Sequence, residues 1–515
     1  MTNPEIRRSE GNSDSTSAGS APSGGLTRRS VVGTLALASL GLPSGRGLAA
    51  AGDPSMLDAS RLRIAYGDRS LSPVEATKAI FTRIEALNPS INAFIVLDPG
   101  GALKAAQDSA DRWREGKPLG PLDGVPVTIK DNIPWAGHPT RKGSRTSAES
   151  PSSENAPVVA RLLAAGAIIL GKTCMPEFGW KGVGDSPLTG ITRNPWNTRL
   201  TTGGSTAGGA AAAALNLGVL HVGTDGAGSI RIPSAFCGVF GIKPSLGRIP
   251  AVPAAATLHL GPVSRSVRDA AVLLETVAGP DPKDMTSANG PLPDLLGTLD
   301  HGVKNLRIAW SPRLGYVKNL DPEVESITET AAKAFSDLGA KVEQVDPGFP
   351  DPTPILDPIW LTICWSAVRS VPEAKWGELD PALLALAMKG RSVSAADYSA
   401  ALAARASLHA AMGRFNEKFD LLLTPTLACA AFETGHNTPP DGHFGEDWLN
   451  WAPYTYPFNL SWHPAASVPC GFTQDGRPIG LQVVGPYLRE DLVLRAARAY
   501  EQAHPWPFID VPKSL

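Results

Sequence analysis

The segment from Gly203 to Lys243, GGSTAGGAAAAALNLGVLHVGTDGAGSIRIPSAFCGVFGIK, constrains this chain more than any other. Glycine and alanine dominate it, so the backbone can turn tightly and a ligand can approach main-chain N–H groups closely. The run AGGAAAAALNLG reads as a short alanine-rich helix with a glycine stop. Ser205 and Ser229 bracket that helix, each among residues too small to shield it. A serine in such a setting is exposed as a nucleophile with amide donors beside it, which points to an enzyme.

Around this segment, elements alternate. Met56 to Leu87 is helical in pattern, with a helix start at Leu71-Ser72-Pro73-Val74-Glu75. Leu122 to Ile129 is apolar and β-branched, a buried strand ending at Lys130. Pro157 to Ala165 predicts a helix and Ala167 to Leu170 a strand. Asn305 to Trp310 (strand), Pro322 to Leu338 (helix) and Lys341 to Val345 (strand) repeat the theme. Leu421 to Thr424 and Ile479 to Val484 add strands, and Glu490 to His504 closes the chain as a helix. Such alternation predicts an α/β fold, with a mixed, mostly parallel sheet flanked by helices in one large domain over residues 52–515. The Pro/Gly-rich stretch near Ala278 to Gly302 is the one candidate boundary inside it. Gly348 to Trp462 reads as a less regular insertion carrying Trp360, Trp365, Trp376, Trp448, Trp451 and Trp462. These tryptophans serve either a cap on a substrate cleft or core packing.

Residues 1–51 stand apart. Asn3 to Gly25 is polar and rich in Ser and Gly, the composition of a disordered segment. Thr27-Arg28-Arg29-Ser30, the apolar VVGTLALASLGL and Ala49-Ala50-Ala51 follow in the order of a twin-arginine export signal. The apolar run is too short to span a bilayer, so the expectation is export to the periplasm or beyond without stable membrane insertion. A net charge of −2 gives no reason to expect nucleic acid as a partner. None of the nine histidines falls in a metal-ligand spacing, so no metal or other cofactor is implied. Cys174, Cys237, Cys364, Cys429 and Cys470 lack framework spacing and read as buried small hydrophobes. Gly166 to Thr173 matches the pattern of a phosphate-binding loop, but a helical segment precedes it and its interior is strand-like, which argues against nucleotide binding.

GTDGAGSIRIPSAFCGVFGIKP (Gly223 to Pro244), GVPVTIKDN (Gly124 to Asn132), GKTCMPEFGW, TRNPWN and PFNLSWHPAASVPCGF together resemble the amidase signature family, serine hydrolases of the C–N bond. The likeness runs from about Leu57 to about Trp506. The G-x-S-x-G elbow of α/β-hydrolases is absent from both serine loops and no histidine is suggestively placed, so Ser–Lys chemistry is the serine option left. The resemblance implies a relay of a lysine, a serine on a cis peptide bond and a nucleophilic serine; carried over, these are Lys130, Ser205 and Ser229. The amides of Gly226, Ala227, Gly228 and Ser229 suit an oxyanion hole. Asp225 is expected to accept backbone N–H bonds and steady this loop, and Arg231 to pair with a carboxylate. Lys130 acts as a base only if its pKa falls to about 7–8, roughly 3–4 kcal/mol of disfavoured charge, which burial at the end of VPVTI supplies. Asp131, next along the strand, should face the other way.

The sequence departs from the family pattern at Thr206-Ala207, at Ala227 in place of the middle glycine, and at Cys174 in place of an asparagine. The expected activity is hydrolysis of a small-molecule carboxylic amide by water, with the tryptophans favouring hydrophobic acyl or aryl amides. Two alternatives stand beside it: the ammonia-supplying component of an amidotransferase, and an exported, non-catalytic solute-binding protein. Nothing in the sequence sets an oligomeric state.

Overall fold

The computed structural model describes residues 53–512. The expected disordered N-terminus and export signal lie outside the described residues. Ser72 opens the helix Pro73–Ile91 with a full capping box, its hydroxyl accepting the Glu75 N–H while the Glu75 carboxylate accepts the Ser72 N–H.

Eleven strands form one sheet: β1 (Phe94–Leu97), β2 (Pro126–Lys130), β3 (Ile168–Thr173), β4 (Leu220–Asp225), β5 (Phe240–Lys243), β6 (His259–Ser264), β7 (Arg307–Trp310), β8 (Lys341–Gln344), β9 (Leu421–Pro425), β10 (Ala465–Phe472) and β11 (Pro478–Val484). Their order is β1-β3-β2-β4-β6-β5-β10-β11-β9-β7-β8. The α/β class and the mixed sheet are as expected, but parallel pairing is confined to two flanks, β3-β2-β4 and β9-β7-β8. Antiparallel pairs run unbroken from β4 to β9 through the centre, so the sheet is not mostly parallel. The cause is connection length: β10 and β11 are joined by the tight turn at Thr473–Arg477, whereas parallel neighbours need a crossover. The match to a phosphate-binding loop dissolves as well, because Gly171, Lys172 and Thr173 lie within β3.

Residues 348–462 are more regular than an insertion. They include the helices Thr353–Val368, Pro381–Gly390 and Ala395–Asn416, and they supply β9 to the sheet. The irregular part comes after β9, from 426 to 464, and is broken only by two short turns of helix. The core has two main parts. One runs along the sheet from the β1–β4 flank to β7, with Ile80, Val127, Val222, Val468 and Ile308 among its buried members; the other holds Trp360, Leu383, Met412, Trp451 and Phe458. Between them, residues 201–251 are buried almost without a break. That is where the small residues lie: the wholly buried helix Ala207–Ala214 fits there because its side chains end at Cβ.

Candidate active site

β2 carries Lys130 on its last residue, and every residue of that strand is buried. The ammonium end donates to Ser205 Oγ at 2.7 Å, to Thr224 Oγ1 at 2.9 Å and to the Thr224 carbonyl at 3.3 Å. Among the described residues no carboxylate touches it. Loss of hydration therefore pushes its pKa down to about 7, against the weaker pull of the Asp225 charge in the other direction. Asp131 points the opposite way, as strand geometry requires: it accepts the Gly143 N–H at 3.0 Å and pairs with Lys172 at 3.5 Å.

The peptide bond Gly204–Ser205 is cis. Gly204 admits no substituent, since a Cβ there would lie 2.5 Å from the Val183 carbonyl oxygen. The next residue, Thr206, donates its N–H to the Ser229 carbonyl at 3.0 Å, which ties the Ser205 loop to the Ser229 loop. Ser205 and Ser229 both border one cavity of about 290 Å³, with Thr224, Gly226 and Asn132. The rest of the wall is chiefly apolar: Ile133, Phe178, Val252, Leu258, Leu260 and Trp360. Of the six tryptophans, Trp360 alone borders this cavity; Trp448 and Trp451 pack behind it as an aromatic cluster. Among the described residues no hydrogen bond joins Ser205 Oγ to Ser229 Oγ, so the lysine end of the chain is formed and the second link is open.

Asp225 organises the turn that carries Ser229. Its carboxylate accepts the N–H groups of Gly228 (2.7 Å) and Ile230 (3.1 Å), the Asn459 amide (2.8 Å) and two nitrogens of Arg231 (both 3.0 Å). Arg231 completes its set with the Thr455 carbonyl, Gln482 Oε1 and Asn459 Oδ1. The guanidinium beside it and the donors around it hold the Asp225 carboxyl well below the usual carboxylate range despite full burial. This arrangement corrects the expected oxyanion hole. The Gly228 N–H is spent on Asp225, which leaves the amides of Gly226, Ala227 and Ser229 without an acceptor among the described residues.

Several participants escaped the sequence reading. Thr224 shares the Lys130 ammonium with Ser205 and accepts the Asn132 amide at 3.0 Å. Thr455 holds the Ala227 carbonyl at 2.7 Å. Signals for three of them were present: Thr224 stands in GTD, Asn132 in KDN and Asn459 in PFNL, all segments that carry the family resemblance. All five cysteines are free thiols, and Cys174, at the position usual for asparagine, is buried with its pKa pushed up to about 12 by desolvation.

The family model described as Amidase matches residues 75–494. The chain is 38% identical over 459 residues to the acylamidase of Rhodococcus erythropolis, covering 87% of this chain and 96% of that protein. It is 36% identical over 479 residues to the A component of the glutamyl-tRNA(Gln) amidotransferase from Chloroflexus aurantiacus, with the same coverage. The solved structure of a bacterial aryl acylamidase superposes with a TM-score of 0.81 at 29% identity, covering 87% of this chain and 96% of that one. The chain belongs to the amidase signature family. It is an enzyme of the class that hydrolyses amide C–N bonds.

Proposed function

We propose that this enzyme is an acylamidase that cleaves hydrophobic acyl or aryl amides through an acyl-enzyme on Ser229, with Lys130 as the base and Ser205 as the proton carrier. The observation that carries the reading is the buried contact of 2.7 Å between Lys130 Nζ and Ser205 Oγ, made beside the cavity that Ser229 borders. A neutral amine has one lone pair. Ser205 gives its proton to that lone pair and takes the Ser229 proton as the Ser229 oxygen attacks the amide carbonyl. Rotation of the Ser229 side chain closes the open link, a tightening common when substrate binds. Negative charge then grows on the carbonyl oxygen, and the free amides of Gly226 and Ala227 lie on the same turn to receive it. The proton held at Lys130 returns by way of Ser205 to the leaving nitrogen, and water repeats the cycle to release the acid.

The apolar wall supports a hydrophobic substrate. The test is direct: Ser229→Ala should lower kcat on a good anilide by more than a hundredfold and abolish labelling by a fluorophosphonate, read by intact mass. A variant that keeps more than about a hundredth of kcat refutes the assignment.

A further inference from the structure

Among the described residues the cavity wall contains a single charged side chain, Lys142, beside apolar or neutral polar residues. Its ammonium makes no ion pair or hydrogen bond among the described residues. The carboxylate nearest along the chain, Glu149, pairs with Arg141 at 2.9 Å, and Asp131 does not neutralise Lys142 either: Asp131 is fully buried, paired with Lys172 and bonded to the N–H groups of Arg141 and Gly143. Glu177 is likewise engaged, by the Ser144 hydroxyl at 2.6 Å and the Asp380 N–H at 2.6 Å. Asp225 is matched by Arg231.

The loop that presents Lys142 is fixed rather than loose. Lys142 sits at φ +53°, a left-handed conformation uncommon for a side-chain-bearing residue, and its carbonyl accepts the Phe178 N–H at 2.8 Å. Gly143, at φ +65°, cannot be replaced without collision, since a Cβ there would lie 2.3 Å from the Met175 carbonyl oxygen. The backbone of an uncompensated cation is thus held at the border of a pocket whose other walls attract apolar groups.

Resting on the acylamidase reading, we infer that the preferred substrates are amphipathic amides, with an apolar body along Ile133, Phe178 and Leu258 and a carboxylate that pairs with Lys142. The reaction itself is unchanged: one water is consumed and the amide yields an acid and an amine. Because Lys142 is exposed, the attraction is modest and screened by salt.

Two matched pairs of anilides test this with the full chain. 4-Acetamidobenzoate is compared with 4-methylacetanilide, and succinanilic acid with butyranilide, so that the carboxylate lies on the amine side in one pair and the acyl side in the other. In at least one pair the anionic member should show a kcat/KM about fivefold higher at low ionic strength, expressed in KM. The preference should fade in 0.5 M salt, vanish in Lys142→Met and invert in Lys142→Glu. Equal kcat/KM within both pairs, or a preference that survives Lys142→Met, overturns the inference while leaving the acylamidase reading intact. Failure to hydrolyse any of the four anilides, with no labelling of Ser229, overturns that reading as well.

Discussion

Replacing Lys130 by methionine should abolish activity and yet stabilise the protein at neutral pH. The wild-type pKa falls from 10.5 in a free chain to about 7 in the fold. At about 1.4 kcal/mol per unit, folding carries a cost of about 5 kcal/mol wherever both states would otherwise be protonated, and about 4 kcal/mol at pH 7. The sign follows from proton counting. Between pH 7 and 10.5 the unfolded chain binds the extra proton, so the cost is complete below pH 7 and disappears as pH rises to 10.5. Methionine has no charge to desolvate, but it forfeits the contacts with Ser205 and Thr224, about 2 kcal/mol together. The variant should therefore be about 2 kcal/mol more stable at pH 7, equal to wild type near about pH 9, and about 2 kcal/mol less stable above pH 10.5. Denaturant unfolding of both proteins across this range measures the crossing. In parallel, wild-type kcat/KM should rise about tenfold per pH unit up to a plateau near pH 7, since only the neutral amine accepts a proton. A variant less stable than wild type by the same amount at every pH would show that Lys130 is not held neutral, and the base assignment would fall.

Asp225→Asn leaves the buried Arg231 guanidinium unpaired and turns an amide toward donors, so it should cost about 3–5 kcal/mol in denaturant unfolding, and a loss below about 1 kcal/mol would contradict the pairing described. Gly228→Ala should damage stability and turnover together, because a Cβ at φ +129° would lie 2.5 Å from Thr455 Oγ1; Gly226→Ala meets nothing nearer than Trp360 at 3.6 Å and should unfold like wild type. Trp360 also borders a neighbouring cavity of about 190 Å³ lined by Asp357, Lys389 and Trp448. Trp360→Ala should join the two spaces and raise the kcat/KM ratio of long-chain over acetyl anilides, with an unchanged ratio refuting the shared wall.

The parts of the site that were legible in the sequence are those whose requirement is local. An apolar β-branched strand ending in lysine announces a desolvated amine, and serines among glycines announce crowding; Lys130 is buried at the end of its strand, and Ser205 and Ser229 border one cavity. Asn459, Thr455 and Gln482 reach Asp225 or Arg231 from more than two hundred residues away, and no periodicity encodes such a meeting. The oxyanion amides were overcounted because the sequence gives no sign of which N–H an acidic side chain will claim. The sheet's antiparallel centre was missed because helix–strand alternation describes only the two flanks. The helix Thr353–Val368 was missed for a different reason: PILDPIWLTICW is apolar on nearly all sides and contains Pro358, so the amphipathic period that marks a surface helix is weak.

Burial alone does not select the base, and the comparison of buried cations shows what does. Arg231 pairs with Asp225, Arg248 with Glu490 and Lys172 with Asp131, so three of these interior cations have an acid against them. Among the described residues Lys243 lacks direct carboxylate contact, as Lys130 does, and burial likewise drives its pKa well below the usual range. Yet the Lys243 amine donates to two carbonyl oxygens, of His463 at 2.5 Å and Pro244 at 3.3 Å, and a carbonyl has no proton to return. Lys130 meets one carbonyl, of Thr224, but its two shorter contacts are to the hydroxyls of Ser205 and Thr224, and a hydroxyl both accepts and donates. A neutral interior lysine becomes useful for proton transfer only where its partner can hand on a proton and also borders a cavity. Ser205 meets both conditions, which is why the base assignment rests on that contact rather than on a lowered pKa.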